Sequence, residues 1–318
     1  MGKFILKRLL LMIPTLWIIL TIVFVLMRVV PGSPAVGMLQ DMGVELTVEN
    51  VEALEEELGL NDPIVVQYVR YIKDVVTGNW GTSYYDGNPV IQNILNVMEP
   101  TLMYGWTYFV IHMLTAIPVG VICAVKRNSL LDYSLTFGSL ILMVIPGFCL
   151  SLLGVYFLAF KLGWFPALGY TYIAKGGFWN ALYCVLLPAL MTGLGGVAGL
   201  ARHTRSAMLD VLNQDYIRTA RAKGLPERMI YYKHALKNTI SVTGSMVIGS
   251  FVGAVGGASI TEKVFNIRGM GRLALDSLTR RDYPQETAIV LFTAFIGLAT
   301  NLINDIVYKL VDPRIEYE

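Results

Sequence analysis

Residues that could carry out chemistry are few in this sequence, and they are widely spaced. Cys123, Cys149 and Cys184 stand alone within apolar blocks and form neither a CxxC pair nor a metal-ligand spacing. The sequence also lacks the HExxH, GxSxG and phosphate-loop patterns of common hydrolases and nucleotide-binding enzymes. It therefore predicts no catalytic residue, no metal site and no cofactor bound by this chain.

Two ionisable residues, His112 and Asp305, lie inside apolar blocks. Such residues often mark ion or proton pathways in membranes. We interpret His112 as a hydrogen-bonding partner between helices, and Asp305 lies within four residues of Lys309, near the end of its block. An ion-driven carrier would be expected to show more such groups, so this pattern disfavours a secondary transporter.

The most distinctive polar segment is residues 216–238, which is basic and is predicted to form two short helices around Gly224. Tyr216, Ala220 and Gly224 recur every four residues and therefore share one helix face. Glycine supplies the backbone angles that end a helix, and Pro226 suits the first turn of the next one. With the apolar Leu225, Met229 and Ile230, this pattern predicts a surface that inserts into a partner's groove. A basic loop so close to a bilayer does not indicate nucleic-acid binding.

A second pattern is a run of small residues spaced four apart in the fifth apolar block, namely Ser241, Ser245, Gly249, Gly253 and Gly257. Small residues on one face allow helices to pack closely in lipid. They would equally form a helix face without large side chains along a translocation pathway, where bulky cargo could pass. The sequence leaves both interpretations open.

The elements that position these residues are membrane spans. The chain has 318 residues, of which 55% are hydrophobic and only 15% charged, whereas soluble domains carry about 25% charged residues. The apolar residues form six blocks long enough to cross a bilayer, at about 9–27, 101–125, 134–160, 180–201, 239–260 and 287–308. This predicts an all-α polytopic membrane protein with six transmembrane helices, and the Pro146-Gly147 pair predicts a kink in the third.

The distribution of charge predicts the topology. Residues 202–237 contain eight Lys or Arg against three Asp or Glu, and the N-terminus carries Lys3, Lys7 and Arg8. By the positive-inside rule, this loop and both termini are cytoplasmic. Residues 33–99 contain eleven acidic residues against two basic ones, so they form an external insertion after the first helix.

The insertion is predicted to contain two helices. Thr47 caps the first, which ends at Gly59; Asp62 caps the second, with Pro63 at its first position and Gly78 just past its end. The second helix places Val65, Tyr68 and Ile72 on one side, a face that can pack on the membrane helices. The insertion is either a small exposed cap or a platform for an external partner.

These predictions divide the chain into four parts. Residues 1–30 form the cytoplasmic N-terminus and first transmembrane helix, and residues 31–99 form the external helical region. Residues 100–310 form a five-helix core that includes the cytoplasmic loop 202–238, and residues 311–318 form a cytoplasmic tail.

Residues 215–224, Asp-Tyr-Ile-Arg-Thr-Ala-Arg-Ala-Lys-Gly, resemble the cytoplasmic coupling loop of ABC importer permeases, together with His-Ala-Leu-Lys-Asn at 234–238. The general pattern of that loop is Glu-Ala-Ala, three residues, then Gly. Here Arg218, Thr219, Ala220 and Gly224 occupy those positions, as in the dipeptide/oligopeptide/nickel branch. Residues 31–34, 81–84, 281–284 and 312–314 also resemble that branch, so the resemblance covers nearly the whole chain.

The resemblance implies a type I ABC importer permease fold, of the oligopeptide/dipeptide permease B-type. It also implies a homologous second permease, two cytoplasmic ATPases that bind ATP and Mg, and an extracellular or periplasmic substrate-binding protein. The location would be a bacterial or archaeal cytoplasmic membrane. The expected ATPase-coupling residues are Tyr216, Arg218, Thr219, Ala220, Arg221, Ala222, Lys223, Gly224, Leu225, Met229, His234 and Asn238.

We therefore expect a non-catalytic permease subunit that forms half of a pathway for dipeptides or oligopeptides. ATP-driven closure of the ATPases would move the coupling helices and switch the pathway between outward- and inward-facing states. Within the family, a nickel chelate or glutathione is an alternative cargo. From a different class, an ion-gradient-driven secondary transporter is the alternative.

Overall fold

A computed structural model describes residues 2–311, except for the side chains of residues 2–4, 241, 242, 245, 252, 254, 255, 304 and 307–311. The first half of the chain forms the helices α1 (Gly2–Val29), α2 (Pro34–Asp41), α3 (Val48–Glu57), α4 (Ile64–Thr77), α5 (Val90–Val125), α6 (Leu130–Val144) and α7 (Gly147–Gly154), followed by the π-helix π1 (Val155–Lys161). The second half forms α8 (Ile173–Gly176), α9 (Phe178–Leu212), α10 (Asp215–Ala222), α11 (Glu227–Met229), the π-helix π2 (Ile230–Ala235), α12 (Leu236–Val255), α13 (Ser259–Val264), α14 (Met270–Arg280) and α15 (Tyr283–Val311). Within these described residues the fold is all-α, as predicted.

Four helices in the described part of the chain are long and apolar enough to cross a membrane. They contain the ranges Ile5–Val29, Val90–Val125, Phe178–Leu212 and Tyr283–Ile303. A fifth span is possible if Leu130–Val144 and Gly147–Lys161, which meet at 98°, cross together. This bend confirms the kink predicted at Pro146-Gly147. The block at 239–260 corresponds to α12, whose side chains are described only in part, and the count of six spans stays a prediction.

The chain divides into two compact units. The first contains residues 1–99 and 269–302, and the second contains residues 100–268 and 303–318. Residues 269–302 thus cluster with the N-terminal part of the chain, although they are distant from it in sequence.

In the first unit, the two helices predicted in the insertion are present. Thr47 caps α3 by accepting a hydrogen bond from the Asn50 backbone N–H at 3.2 Å, and Gly78 ends α4 in the left-handed conformation. The predicted cap at Asp62 is wrong, because Pro63 occupies the cap position without a side-chain hydrogen bond. The Asp62 carboxylate instead pairs with Arg70 at 2.6 Å.

The second unit is built around α9. A core of Tyr104, Val185, Leu187, Phe265 and Ile267 fills one part of it. His112 is buried, and its ring Nδ1 lies 3.2 Å from the Gly193 carbonyl oxygen of α9. This contact confirms the prediction that His112 is a hydrogen-bonding partner between helices.

Candidate functional site

The helix α10 is anchored to the membrane helices by one face. Ile217 is fully buried and Ala220 is 8% exposed, and both belong to a core cluster with Val121, Met208 and Ile230. Val121 lies on α5, Met208 on α9 and Ile230 on π2, so the buried face of α10 shares one core with the ends of two long helices and with π2. Because packed apolar side chains resist relative displacement, a force applied to α10 would reach both helices directly.

The turn after α10 is a Schellman motif. Gly224 has a φ of +74°, and its N–H donates to the Arg221 carbonyl at 2.9 Å. The Leu225 N–H donates to the Ala220 carbonyl at 3.3 Å. These are the two hydrogen bonds that define this helix end, and its left-handed position favours glycine. The predicted break at Gly224 is therefore confirmed.

An ion pair spans this turn. The Arg221 Nε lies 2.9 Å from Glu227 Oε1, and the Arg221 Nη2 lies 3.5 Å from Glu227 Oε2. The Arg221 guanidinium lowers the pKa of the Glu227 carboxyl below its usual range, mainly through this hydrogen bond. The two helices on either side of Gly224 are thus held together by charge as well as by the backbone.

The exposed face of α10 differs from the predicted one. Tyr216 and Gly224 are exposed, but Ala220 faces the protein's own core, so these three residues do not form one outward face. Thr219, Ala222 and the basic side chains of Arg218 and Lys223 are exposed instead. The exposed face of α10 is therefore more basic, and carries larger side chains, than the predicted face of Tyr216, Ala220 and Gly224.

The second predicted helix is short and continuous with the membrane segment. It consists of α11, only three residues long, which leads through π2 into α12. Met229 is 40% exposed, Leu225 and His234 are partly buried, and Ile230 is fully buried rather than at an apolar edge. The exposed Asn238 donates from Nδ2 to the Tyr216 hydroxyl at 2.8 Å, which joins the start of α12 to α10.

The stripe of small residues on α12 is only partly helical. Gly249 and Gly253 lie in the helix, and a Cβ built at either position meets no atom within 4 Å. Gly257 lies beyond the helix end, with a φ of +81°, so the expectation that all five residues share one helix face is wrong. The side chains of Ser241 and Ser245 are outside the described residues.

Three of the motifs that carried the family resemblance meet in the first unit. The Asp282 carboxylate accepts hydrogen bonds from Ser83 Oγ at 2.5 Å and from the Tyr84 N–H at 3.2 Å. Arg281 donates to the Pro31 carbonyl. The stretches 31–34, 81–84 and 281–284 therefore form one hydrogen-bonded cluster.

Sequence reasoning missed an ion pair with a buried carboxylate in the second unit. Asp132 at the start of α6 is 3% exposed and receives two hydrogen bonds from Arg205 of α9, at 3.0 and 2.8 Å. The Asn128 N–H donates to the same carboxylate at 3.0 Å. The sequence signal for this site was the Ser129-x-x-Asp132 pattern, which is typical of the start of a helix. The side chain of Ser129 does cap α6.

The described residues contain no group of three or more His, Cys, Asp or Glu side chains that could hold a metal ion. One side of α10 presents basic and small residues, and its other side packs in a core with the membrane segments.

Comparisons with known proteins identify the family of the chain. Residues 116–317 match the family described as "Binding-protein-dependent transport system inner membrane component", and residues 1–103 match its N-terminal family. The chain is 39% identical to the oligopeptide transport system permease protein AppB of Bacillus subtilis, with 100% of both chains covered. It is 35% identical to the glutathione transport system permease protein GsiC of Salmonella paratyphi A, again over 100% of both.

Among solved structures, the chain resembles one from inward-facing conformations of the MetNI methionine ABC transporter. The TM-score is 0.57 at 18% identity, over 70% of this chain and 98% of the other. This similarity shows a shared fold, that of type I ABC importer permeases. With the family match covering most of the sequence, the chain belongs to the family of inner membrane components of binding-protein-dependent transport systems.

Proposed function

We propose that this chain is one of two membrane subunits of an ABC importer for dipeptides or oligopeptides, and that it forms half of the pathway. It pairs with a homologous permease, receives cargo from an external binding protein, and is driven by two cytoplasmic ATPases. ATP and Mg bind to those ATPases, and this chain is not catalytic. It lies in a bacterial or archaeal cytoplasmic membrane with both termini inside.

The observation that carries this proposal is the attachment of α10. The inward residues Ile217 and Ala220 pack in one core with residues of α5, α9 and π2, and most of its outward residues are basic or small. A helix that is exposed on one side and packed on the other converts the movement of a docked protein into movement of the membrane helices. We therefore assign ATPase coupling to the exposed residues of 216–229, with His234 and Asn238 supporting them.

The experiment targets Gly224, where a Cβ would meet no atom within 4 Å. Gly224→Asp places a side chain and a negative charge on the proposed docking surface. We expect it to abolish uptake and weaken co-purification of the ATPases, while the chain still inserts into the membrane.

Gly224→Asn is the matched control, since Asn has nearly the same shape and tolerates the left-handed conformation. It should retain more uptake than Gly224→Asp because it adds no charge. Normal uptake together with normal ATPase association in Gly224→Asp would reject the coupling role.

Peptide cargo is proposed because similarity to the AppB permease extends over the whole chain. Glutathione is the second candidate, because similarity to the GsiC permease also covers the whole chain. A nickel chelate is the remaining alternative. Competition between labelled dipeptide, longer peptides and glutathione during uptake by the complete transporter separates these cargoes.

A further inference from the structure

The helix α4 contacts α1 deep within its membrane-spanning range. The Tyr68 hydroxyl lies 2.8 Å from Trp17 Nε1 and 2.7 Å from the Thr21 hydroxyl. The Phe24 ring packs against the rings of Tyr68 and Tyr71, with centroids 5.2 and 5.3 Å apart. All of these α1 residues lie within Ile5–Val29, which is apolar enough to span a bilayer.

The distance of this contact from the Val29 end of α1 can be estimated. Arg28, which donates to Gln67 at 3.0 Å, lies at the end of α1. Trp17 is eleven residues earlier, or about 16 Å along the helix at 1.5 Å per residue. A helix held entirely in the water outside the membrane could not reach a residue at that depth.

The side of α4 that does not touch α1 carries an exposed apolar stripe. Val65, Val69 and Val76 are 68%, 59% and 79% exposed, and their spacing of four and seven places them on one face. The exposed residues Ile18, Ile22 and Val25 of α1 belong to the same unit. Lys73, four residues after Val69, borders the stripe, and the next flank of α4 carries Arg70 and Thr77, which are exposed and polar.

We propose that α4 lies in the membrane interface at the Val29 end of α1, with the stripe of Val65, Val69 and Val76 in contact with lipid acyl chains. Its occupant is lipid because α4 packs against the apolar, membrane-spanning range of α1, along which Ile18, Ile22 and Val25 are also exposed. An amphipathic helix in this position rests in the interfacial plane, with its apolar side in the acyl region and its polar side in water. The external insertion is then partly a membrane-embedded element, independently of the cargo or of the partner subunits.

The test compares residues of the stripe with a neighbouring residue on the polar flank of α4. Val76→Cys and Val69→Cys report on the stripe, and Thr77→Cys is the control, since Val76 and Thr77 are adjacent and both exposed. Each is introduced with Cys123, Cys149 and Cys184 replaced by alanine, labelled with bimane, and reconstituted as the complete transporter in phosphatidylcholine vesicles containing acyl-chain spin-labelled lipid.

The expected result is severalfold stronger quenching by the spin-labelled lipid at 69 and 76 than at 77, with the reverse order for aqueous iodide. Equal iodide quenching at all three positions would overturn the proposal, because the stripe would then face water. Protection of 69 and 76 from both quenchers would also overturn it, because protein would then cover the stripe.

A second measurement uses the unmodified chain, so that it does not depend on folding of the cysteine variants. A phosphatidylcholine with a diazirine in its acyl chain is photolysed in the reconstituted transporter, and the modified peptides are identified by mass spectrometry. We expect modification within residues 65–76. Modification of α1 without any in that segment would contradict the proposal.

Discussion

At the residue scale, Arg221 and Glu227 determine how firmly the Gly224 turn is closed. Both side chains are largely exposed, and exposed ion pairs contribute little to global stability. Their effect should therefore be local, on the geometry that α10 presents to a partner.

We expect Glu227→Gln to leave the melting temperature nearly unchanged and to speed amide exchange in residues 223–229 at neutral pH. Since the folded-state pKa of Glu227 is lowered, the contribution of the ion pair is present above the unfolded pKa of about 4.3 and is lost as the pH falls through the lower folded value. Wild type and variant should thus converge only when the pH falls below the lowered folded-state pKa of Glu227. Hydrogen exchange at matched pH values measures this, and a difference that persists at low pH would contradict it.

At the element scale, the pair of Asp132 and Arg205 ties the start of α6 to α9. Asp132 is buried and fully hydrogen-bonded to Arg205 and to the Asn128 backbone. Because α9 ends close to α10, the pair fixes α6 to the helix that precedes the proposed coupling surface.

Removing Arg205 leaves the buried Asp132 carboxylate without compensation, so Arg205→Ala should destabilise the protein by about 3 kcal/mol. Asp132→Ala should cost less, because the Arg205 side chain is 29% exposed and stays partly hydrated. The double variant should lose much less than the sum, because no unpaired charge remains. Thermal unfolding of the purified complex in detergent measures all three variants. Additive losses would show that the two side chains do not interact energetically. Arg205→Lys tests whether the bidentate hydrogen bonding of the guanidinium to Asp132 is required.

A second element-scale prediction concerns α12. Gly249→Leu and Gly253→Leu should permit normal insertion, because a Cβ at either site meets no neighbouring atom within 4 Å. If these residues line the proposed pathway, the larger side chains will reduce uptake severalfold.

Gly138→Leu on α6 is the matched control, since a Cβ there also meets no atom within 4 Å. It should leave uptake unchanged. Uptake assays normalised to the amount of inserted protein compare the three variants, and equal uptake in all of them would remove Gly249 and Gly253 from the pathway.

At the scale of the whole molecule, the proposal requires other subunits. We expect proteoliposomes that contain this chain, the homologous permease, both ATPases and the binding protein to accumulate peptide when ATP is supplied. Omission of any component should abolish accumulation. Uptake by the isolated chain, driven by an imposed ion gradient, would instead support a secondary transporter.

The sequence by itself determined the membrane class, the broken third apolar block and the glycine-ended helix before residue 224. These features follow from local rules, since hydrophobic length, proline position and the left-handed glycine act within a few residues of themselves. The family also followed from the sequence, because its motifs are short and specific.

Only the tertiary structure decided which side of each helix is buried. It turned Ala220 inward and joined Asp132 to Arg205, 73 residues away. It also distinguished glycines that look alike in sequence. A Cβ at Gly120 would lie 2.6 Å from the Ala201 carbonyl, whereas one at Gly249 would meet nothing within 4 Å. The physical reason is that burial and close approach depend on neighbours that are remote in sequence, which no local pattern specifies.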